Sequence, residues 1–297
     1  MDQPTRPYRL FDIVLLRRQL LSPALSRFTF GGPQVSQMKT LAADQRVKLF
    51  FPDPQGRPPA LADAPDWYAR WKAEDPDARP PMRTYTIRSL RAEAGEVDVD
   101  FVLHGENGPA SAWATHSKPG EQLQMTAPNA LHAGDTGGYE WKPPAGLKSL
   151  LLIADETALP AAAGILEELA TLSAPPQTQL FIEVPSIADR IKLASWSGLA
   201  VQWMARGHGA PGDLMVEAAA RARVAAAAGA ETALADIDVD RVILWDRAEP
   251  QTNGFYGWVA GEAAAVRAIR RHLIQERGVD RKALNLMGYW REGRVLD

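Results

Sequence analysis

The stretch richest in usable chemistry is Arg83-Thr84-Tyr85-Thr86-Ile87-Arg88. Its alternation marks a strand with two differently occupied faces. Arg83 supplies a planar cationic fork matched to a phosphate. Tyr85, two residues on, falls on the same face and offers a flat ring. Thr86 adds a hydroxyl and a backbone N–H. A phosphate clamp, a stacking plate and a polar handle this close together suit a flavin, although an ordinary strand with surface arginines reads the same way, because a short motif is weak alone. A second phosphate-binding arrangement follows at Gly108-Pro109-Ala110-Ser111. Pro109 suits the first turn of a helix, the free N–H groups there donate to phosphate oxygens, and Gly108 permits close approach. The bland alternative is a plain strand-to-helix turn. His104, ending the strand before it, is of a kind that is commonly structural.

Short strands must position these residues. Phe11 to Arg18 and Leu25 to Phe30 are antiparallel strands separated by Leu21-Ser22-Pro23. Val47 to Phe51 is a third, stopped by Pro52 and Pro54. Residues 53 to 81 form an excursion rich in Pro, Asp and Ala, with a short helix over Asp66 to Glu74; a loop of that length is uncommon without a role. The Arg83 strand follows, then Glu96 to His104, the helix after Pro109, and a last strand over Glu121 to Thr126. This pattern predicts an antiparallel barrel of six strands with one small helix.

Glycine and other turn-forming residues between 129 and 147 mark a domain boundary near residue 140. Beyond it the pattern becomes strand–helix–strand. Leu150 to Ala154 is a continuous apolar run, as a buried parallel strand is. Asp155-Glu156-Thr157-Ala158-Leu159-Pro160 then opens a helix over 160–172. Further strands are expected at Leu180 to Val184, Leu199 to Met204, Val242 to Trp245, Tyr256 to Ala260 and Leu284 to Met287, with helices over 213–228 and 262–276. In such an open sheet, ligands sit beyond the strands' carboxyl ends. Gly207-His208-Gly209-Ala210-Pro211-Gly212 matches G-x-G-x-x-G literally, but it follows the third strand and Pro211 stiffens it, so it reads as a plain loop.

Composition narrows the chemistry. There are no cysteines, which excludes disulfides, thiolate-held iron–sulfur clusters and a thiol nucleophile. A net charge of −3 gives no nucleic-acid footprint. No H-E-x-x-H spacing or G-x-S-x-G elbow appears, so no metal site is expected. The first residues lack the apolar core of a signal peptide, and no apolar run reaches the length of a membrane span. A cytoplasmic protein, a monomer without nucleic-acid or membrane partners, is the expectation. Among the nine tryptophans, Trp67, Trp71 and Trp141 read as packing residues, and Arg18, Arg91, Arg221 and Arg223 as solvated charges.

Arg83-Thr84-Tyr85-Thr86 looks like the R-x-Y-[ST] flavin motif of ferredoxin reductase-like flavoproteins. Four further stretches sharpen the likeness: Asp100 to Gly105, Gly108 to Ala114, Asp155 to Pro160, and Ala260-Gly261-Glu262 with Gly288 to Arg291. In this order they resemble the siderophore-interacting proteins, a family of ferric-siderophore reductases, over roughly residues 9 to 293. The resemblance implies an N-terminal antiparallel Greek-key β-barrel binding FAD (1–139), followed by a mainly parallel α/β NAD(P)-binding domain (140–297).

It also implies roles. Arg83 holds a flavin-side phosphate, with Thr84 in the same motif. Tyr85 stacks on the isoalloxazine and Thr86 reaches its N5 edge. Val102 and His104 line the adenosine side of FAD, and Gly108, Pro109, Ala110 and Ser111 cradle the pyrophosphate. Thr157, Gly261 and Glu262 face the nicotinamide cofactor, and Arg206 meets a 2′-phosphate, favouring NADPH over NADH. Tyr289 and Trp290 close the site. Many relatives carry a basic residue just past the barrel, where this chain has Ala127-Pro128-Asn129. Lys48, Arg247 and Arg291 are then the basic candidates for an anionic siderophore. The implied activity passes electrons from NAD(P)H through FAD to chelated Fe(III), releasing Fe(II). The alternatives are a flavin reductase of the same fold, with ferredoxin or free flavin as partner, and a non-enzymatic siderophore-binding protein.

Overall fold

Period-two alternation builds the first part of the chain into one antiparallel sheet. Its strands are β1 (Tyr8–Ser22), β2 (Leu25–Gly31), β3 (Arg46–Phe50), β4 (Met82–Thr86), β5 (Ser89–Arg91), β6 (Glu96–Val102) and β7 (Gln122–Pro128), in the order β4-β3-β7-β1-β2-β6-β5. The two ends of that order belong to one stretch of chain. β4 pairs with β3 and β5 pairs with β6, with only Ile87 and Arg88 between them. The Ile87 N–H donates to Gln45 O at 2.8 Å and the Arg88 N–H to Asp98 O at 2.9 Å, so the sheet closes on itself. The strand predicted over Arg83 to Arg88 is β4, which ends at Thr86, and β5 is a further short strand beyond it, so the sheet has seven strands rather than the six expected.

The structure is a computed structural model describing residues 5–106, 108–224, 226, 234–249 and 254–294. The chain divides between Tyr139 and Glu140 into two compact units. Inside the first, Phe28, Phe30, Val47, Leu49, Val99 and Phe101 form the core, joined by Ala110, Trp113 and Ala114 of α2 (Pro109–His116). The excursion packs on the outer face of the sheet through α1 (Trp67–Ala73), whose Trp71 is buried with Leu10, Phe50 and Met82. Trp71 Nε1 donates to Pro80 O at 2.8 Å, which satisfies the indole on burial. On β6, Asp98 and Asp100 are each 5 % exposed and need cations to offset their burial. Arg27 grips Asp100 at 2.7 and 2.8 Å, and Arg91 grips Asp98 at 2.7 Å through both terminal nitrogens. Arg91 is therefore a structural partner rather than a solvated charge.

The second unit has strands β8 (Ser149–Ala154), β9 (Gln177–Val184), β10 (Leu199–Ala205), β11 (Trp245–Asp246), β12 (Phe255–Glu262) and β13 (Leu284–Trp290), ordered β10-β9-β8-β12-β13-β11. Every pairing is parallel except β11 with β13. Helices α3 (Leu159–Ala170), α4 (Asp213–Arg221) and α5 (Ala263–Arg271) connect them, and a π-turn, His272–Glu276, continues α5. The predicted strand over Val242 to Trp245 shrinks to β11, with Val242 and Ile243 exposed. α4 ends at Arg221; residues 225, 227 and 228 of the predicted helix lie outside the described residues. The sheet order reverses between β8 and β12, so their carboxyl ends frame the crevice where such sheets take ligands. No described helix is long and apolar enough to cross a membrane.

Phe101 is 1 % exposed and lies 4.3 Å from Tyr85 between ring centroids. Phe101→Ala is expected to cost about 3–5 kcal/mol, read as a lowered urea midpoint at unchanged slope. A midpoint within error of wild type would show that this ring does not organise the core.

Candidate functional site

The closing segment assigns side chains to faces by alternation. Arg83 and Tyr85 lie opposite Leu49 and Val47, both core residues, whereas Thr84 and Thr86 lie opposite Lys48 and Arg46 on the outer face. The structure therefore brings Arg83 and Tyr85 together and turns Thr86, which is buried, to the other side. Tyr85 is half-buried and rests on Phe101 at 32°, with burial pushing its phenol pKa up. Arg83 is half-buried and donates only to the neighbouring Met82 O, at 2.7 Å. Among the described residues it has no carboxylate partner. A partly buried cation without a counter-ion is unfavourable unless a ligand supplies the anion.

Phe101 also contacts Trp113 of α2, at 5.9 Å, so Tyr85 and α2 share one aromatic cluster. At the start of α2, Gly108 has φ +96°, a conformation that favours glycine, and a Cβ built there meets nothing within 4 Å. The first helical bond is Ala112 N–H to Gly108 O at 3.0 Å, and no side chain caps the helix. The N–H groups of Ala110 and Ser111 thus precede the intrahelical bonds, and Pro109 has none to satisfy. Ser111 Oγ and His104 Nε2 are 2.9 Å apart, which fixes the strand end carrying Val102 and His104 against this turn. An uncompensated guanidinium, an anchored ring and an open helix start match the donor set of a dinucleotide flavin.

The second unit is organised differently. Asp155, at the carboxyl end of β8, is 1 % exposed and accepts five hydrogen bonds. Three come from its own turn: Thr157 N–H at 2.9 Å, Thr157 Oγ1–H at 2.5 Å and Ala158 N–H at 3.3 Å. The others come from the ends of neighbouring strands, Glu262 N–H at 2.9 Å and Trp290 Nε1–H at 2.7 Å. A Cβ at Gly261 would stand 2.6 Å from Asp155 Oδ2, so only glycine admits this approach. Burial and the adjoining Glu156 carboxylate push the Asp155 pKa up to about 7, against donors that favour the anion.

Thr157, Gly261 and Glu262 are thus brought together, but around an internal carboxylate. Glu262 caps α5, accepting from Ala265 N–H at 2.9 Å and Arg291 Nη1 at 2.8 Å. Glu183, fully buried, takes the N–H groups of Gly212, Leu214 and Met215 at the start of α4, at 2.7, 3.0 and 3.3 Å. That seals the literal G-x-G-x-x-G against phosphate. Arg206 bonds Glu156 at 2.7 and 3.1 Å and Glu183 at 2.7 Å. The expectation that Arg206 meets a 2′-phosphate is opposed by this geometry, since two buried carboxylates already hold the guanidinium.

Glu183 and Asp155 carried no role in the sequence reading. The available signal was a lone carboxylate inside an otherwise apolar strand, Leu180-Phe181-Ile182-Glu183-Val184. Of the three basic candidates, Arg291 is held by Asp240 at 2.7 Å as well as by Glu262, and Arg247 by Glu140 at 3.0 Å. Lys48 faces outward on β3, 3.4 Å from Thr84 Oγ1. Tyr289 stacks on Trp245 at 5.8 Å and 9°, and Trp290 serves Asp155, so both have packing roles.

Comparison with known proteins gives a consistent picture. A family model described as siderophore-interacting FAD-binding domain matches residues 14–132, and one described as siderophore-interacting protein matches residues 147–293. A Mycobacterium tuberculosis protein is 33 % identical over 98 % of this chain and 92 % of its own length. Ferric vibriobactin reductase ViuB of Vibrio cholerae is 27 % identical over 96 % of this chain and 90 % of its own. The crystal structure of a siderophore utilization protein from T. fusca matches with a TM-score of 0.72 at 28 % identity, covering 98 % of this chain and 96 % of that one.

Two consequences are measurable. Arg206→Ala leaves Glu183 and Glu156 without their cation, so it should lower stability by about 3–5 kcal/mol while leaving any NADPH-over-NADH preference unchanged. A stable variant with altered preference would restore the 2′-phosphate role. Asp155 has a folded-state pKa above its unfolded value, so the native state holds a proton that the unfolded chain has released. Stability should therefore fall as pH rises from about 4 to about 7, with a slope of at most about 1.4 kcal/mol per pH unit from this one proton. The difference in stability between wild type and Asp155→Asn, measured across that range, should carry this slope; a flat difference would show that the donors keep the carboxylate ionised throughout.

Proposed function

The chain belongs to the siderophore-interacting protein family, and on that premise we propose that it is an FAD-dependent reductase passing electrons from NADPH or NADH to siderophore-chelated Fe(III). The observation that carries the reading is Arg83, half-buried beside Tyr85 with no carboxylate partner among the described residues. When bound, FAD supplies acceptance of a hydride and delivery of single electrons. Everything else is positioning by this chain's own groups. Arg83 holds a phosphate charge through its planar fork. Tyr85, steadied by Phe101, sets the plane on which a flat ring lies. The Ala110 and Ser111 N–H groups, at the positive end of α2, donate to a pyrophosphate.

The substrate is iron carried in by its chelator. Fe(II) is a poorer partner than Fe(III) for hard oxygen ligands, so one-electron reduction loosens the metal. No acid–base pair is required of the protein for that step. A specific observation favours a second reading of the electron donor. In the second unit the starts of α3, α4 and α5 are served by Asp155, Glu183 and Glu262. Helix starts already occupied by carboxylates do not attract a pyrophosphate. A protein donor such as a ferredoxin needs no such site.

Arg83→Ala should bind FAD roughly tenfold or more weakly, since a charge-assisted phosphate contact is worth ~1.5–3 kcal/mol. A variant that retains FAD as tightly as wild type would remove Arg83 from the clamp. For the activity, stopped-flow absorbance should follow reduction of the FAD-loaded wild type by NADPH, NADH and reduced ferredoxin, then its reoxidation by ferric siderophores with an Fe(II) trap. Reduction by a nicotinamide followed by trapped Fe(II) is the expected result. Reduction by ferredoxin alone would select the second reading, and no reoxidation by any ferric chelate would end the reductase assignment.

A further inference from the structure

β1 is 15 residues long, and its ladder with β7 ends at Val14. The rest overhangs, and from Arg17 to Ser22 it pairs with β2. The register slips by one residue at the start of this overhang: Leu15 faces Phe30, but Arg17 faces Thr29. Leu16 is the extra residue, and Gly31 makes room for it, since a Cβ there would stand 2.7 Å from Leu16 Cδ1. Such a bulge re-aims the side chains beyond it. Unbroken alternation from Leu15, a core residue, would send Arg17 to the core face and Arg18 outward. The bulge exchanges them. Arg18 lies opposite Phe28, a core residue, and Arg17 opposite Thr29 on the outer face, where it pairs with Glu96 at 2.7 Å.

The re-aimed guanidinium reaches the carbonyl end of α2. Arg18 Nη1 donates to Ala114 O at 2.9 Å and to Thr115 O at 3.3 Å. These are two of the last-turn carbonyls that a helix cannot satisfy by itself. A third, Trp113 O, accepts the Ser117 N–H at 2.8 Å. The guanidinium also lies over the Phe28 ring, 5.4 Å from its centroid, and Phe28 packs on Trp113 of the same helix at 5.5 Å. Arg18 is therefore not the solvated charge that its sequence context suggests. α2 is held by a cation at its end and has no side-chain cap at its start. The helices of the second unit are arranged the other way, with a carboxylate at each start.

We infer that Arg18 is a positioning residue for the FAD pyrophosphate, acting through α2: its charge offsets the negative carbonyl end of the helix and so strengthens the hold of the opposite end on an anion. The inference rests on the FAD reading proposed above. A helix carries partial positive charge at its N–H end and partial negative charge at its carbonyl end. α2 has 8 residues and is about 12 Å long, so its negative end is near enough to weaken attraction for a phosphate at its start. A guanidinium seated on those carbonyls cancels that field and adds its own. The length of the helix separates Arg18 from the phosphate, so it acts on affinity without being a contact. The overhang of β1 and its bulge thereby gain a role, the delivery of one cation to the far end of the phosphate-binding helix.

The test is the FAD affinity of the full chain, measured by equilibrium dialysis of the FAD-loaded protein as wild type, Arg18→Gln and Arg18→Lys. Arg18→Gln keeps a donor for the carbonyls but removes the charge, and at low salt it should bind FAD about two- to fivefold more weakly. Arg18→Lys restores the charge and should recover most of that loss. The gap between wild type and Arg18→Gln should close between about 10 mM and about 1 M salt, as the screening length falls from ~30 Å, longer than the helix, to ~3 Å. A purely structural loss would persist at high salt and would not be recovered by lysine; either result would overturn the inference, as would unchanged FAD affinity in Arg18→Gln. Wild type that takes up no FAD would instead remove the FAD reading on which the inference rests.

Discussion

The first unit depends on one constraint: residues 82–91 must satisfy two different neighbours. β4 completes the ladder on β3, β5 completes the ladder on β6, and the N–H groups of Ile87 and Arg88 stitch the join. The two ends of the sheet order, β4 and β5, are thereby joined through one short stretch of chain. The same requirement fixes the alternation of side chains. Arg83 and Tyr85 are committed to the side of the aromatic cluster, and Thr84 is committed to an outward row with Lys48 and Thr126. Two sets of side chains with different chemistry thus share one strand, and each faces away from the other.

The second unit obeys a different constraint, the compensation of buried charge. Asp155, Glu156, Glu183 and Glu262 are each at most 8 % exposed at the carboxyl edge of the sheet or beside it. Isolated, such anions would be prohibitively costly. Each finds backbone N–H groups, a guanidinium or an indole, and in doing so ties strand ends and helix starts together. Asp155 alone links β8, β12 and β13. The consequence for function is that the places where a parallel α/β sheet usually offers N–H groups to a dinucleotide are spent on the protein's own acids.

Much of this was legible beforehand because it is local. Strand periods, the Pro109 helix start, the shift from alternating to continuous apolar runs and the lack of cysteine are properties of short windows. The Arg83–Tyr85 spacing could be read as a clamp and a ring because strand alternation needs no partner strand. Gly207 to Gly212 forms a turn, and the N–H of its last glycine is taken by Glu183.

The sequence by itself therefore determined the class of the two units, the order of their elements and the face that Arg83 and Tyr85 share. Tertiary structure decided which charges are available. Arg206, Arg291 and Arg247 look alike as free basic residues in a string, but their carboxylate partners lie 23 to 107 positions away. Trp67 and Thr126 are 59 positions apart, and only the pairing of β3 with β7 and the return of the excursion over β3 put them in one pocket. Pairing across such separations is set by the closed sheet and by the cost of unpaired buried charge, and neither can be computed from a window of neighbouring residues.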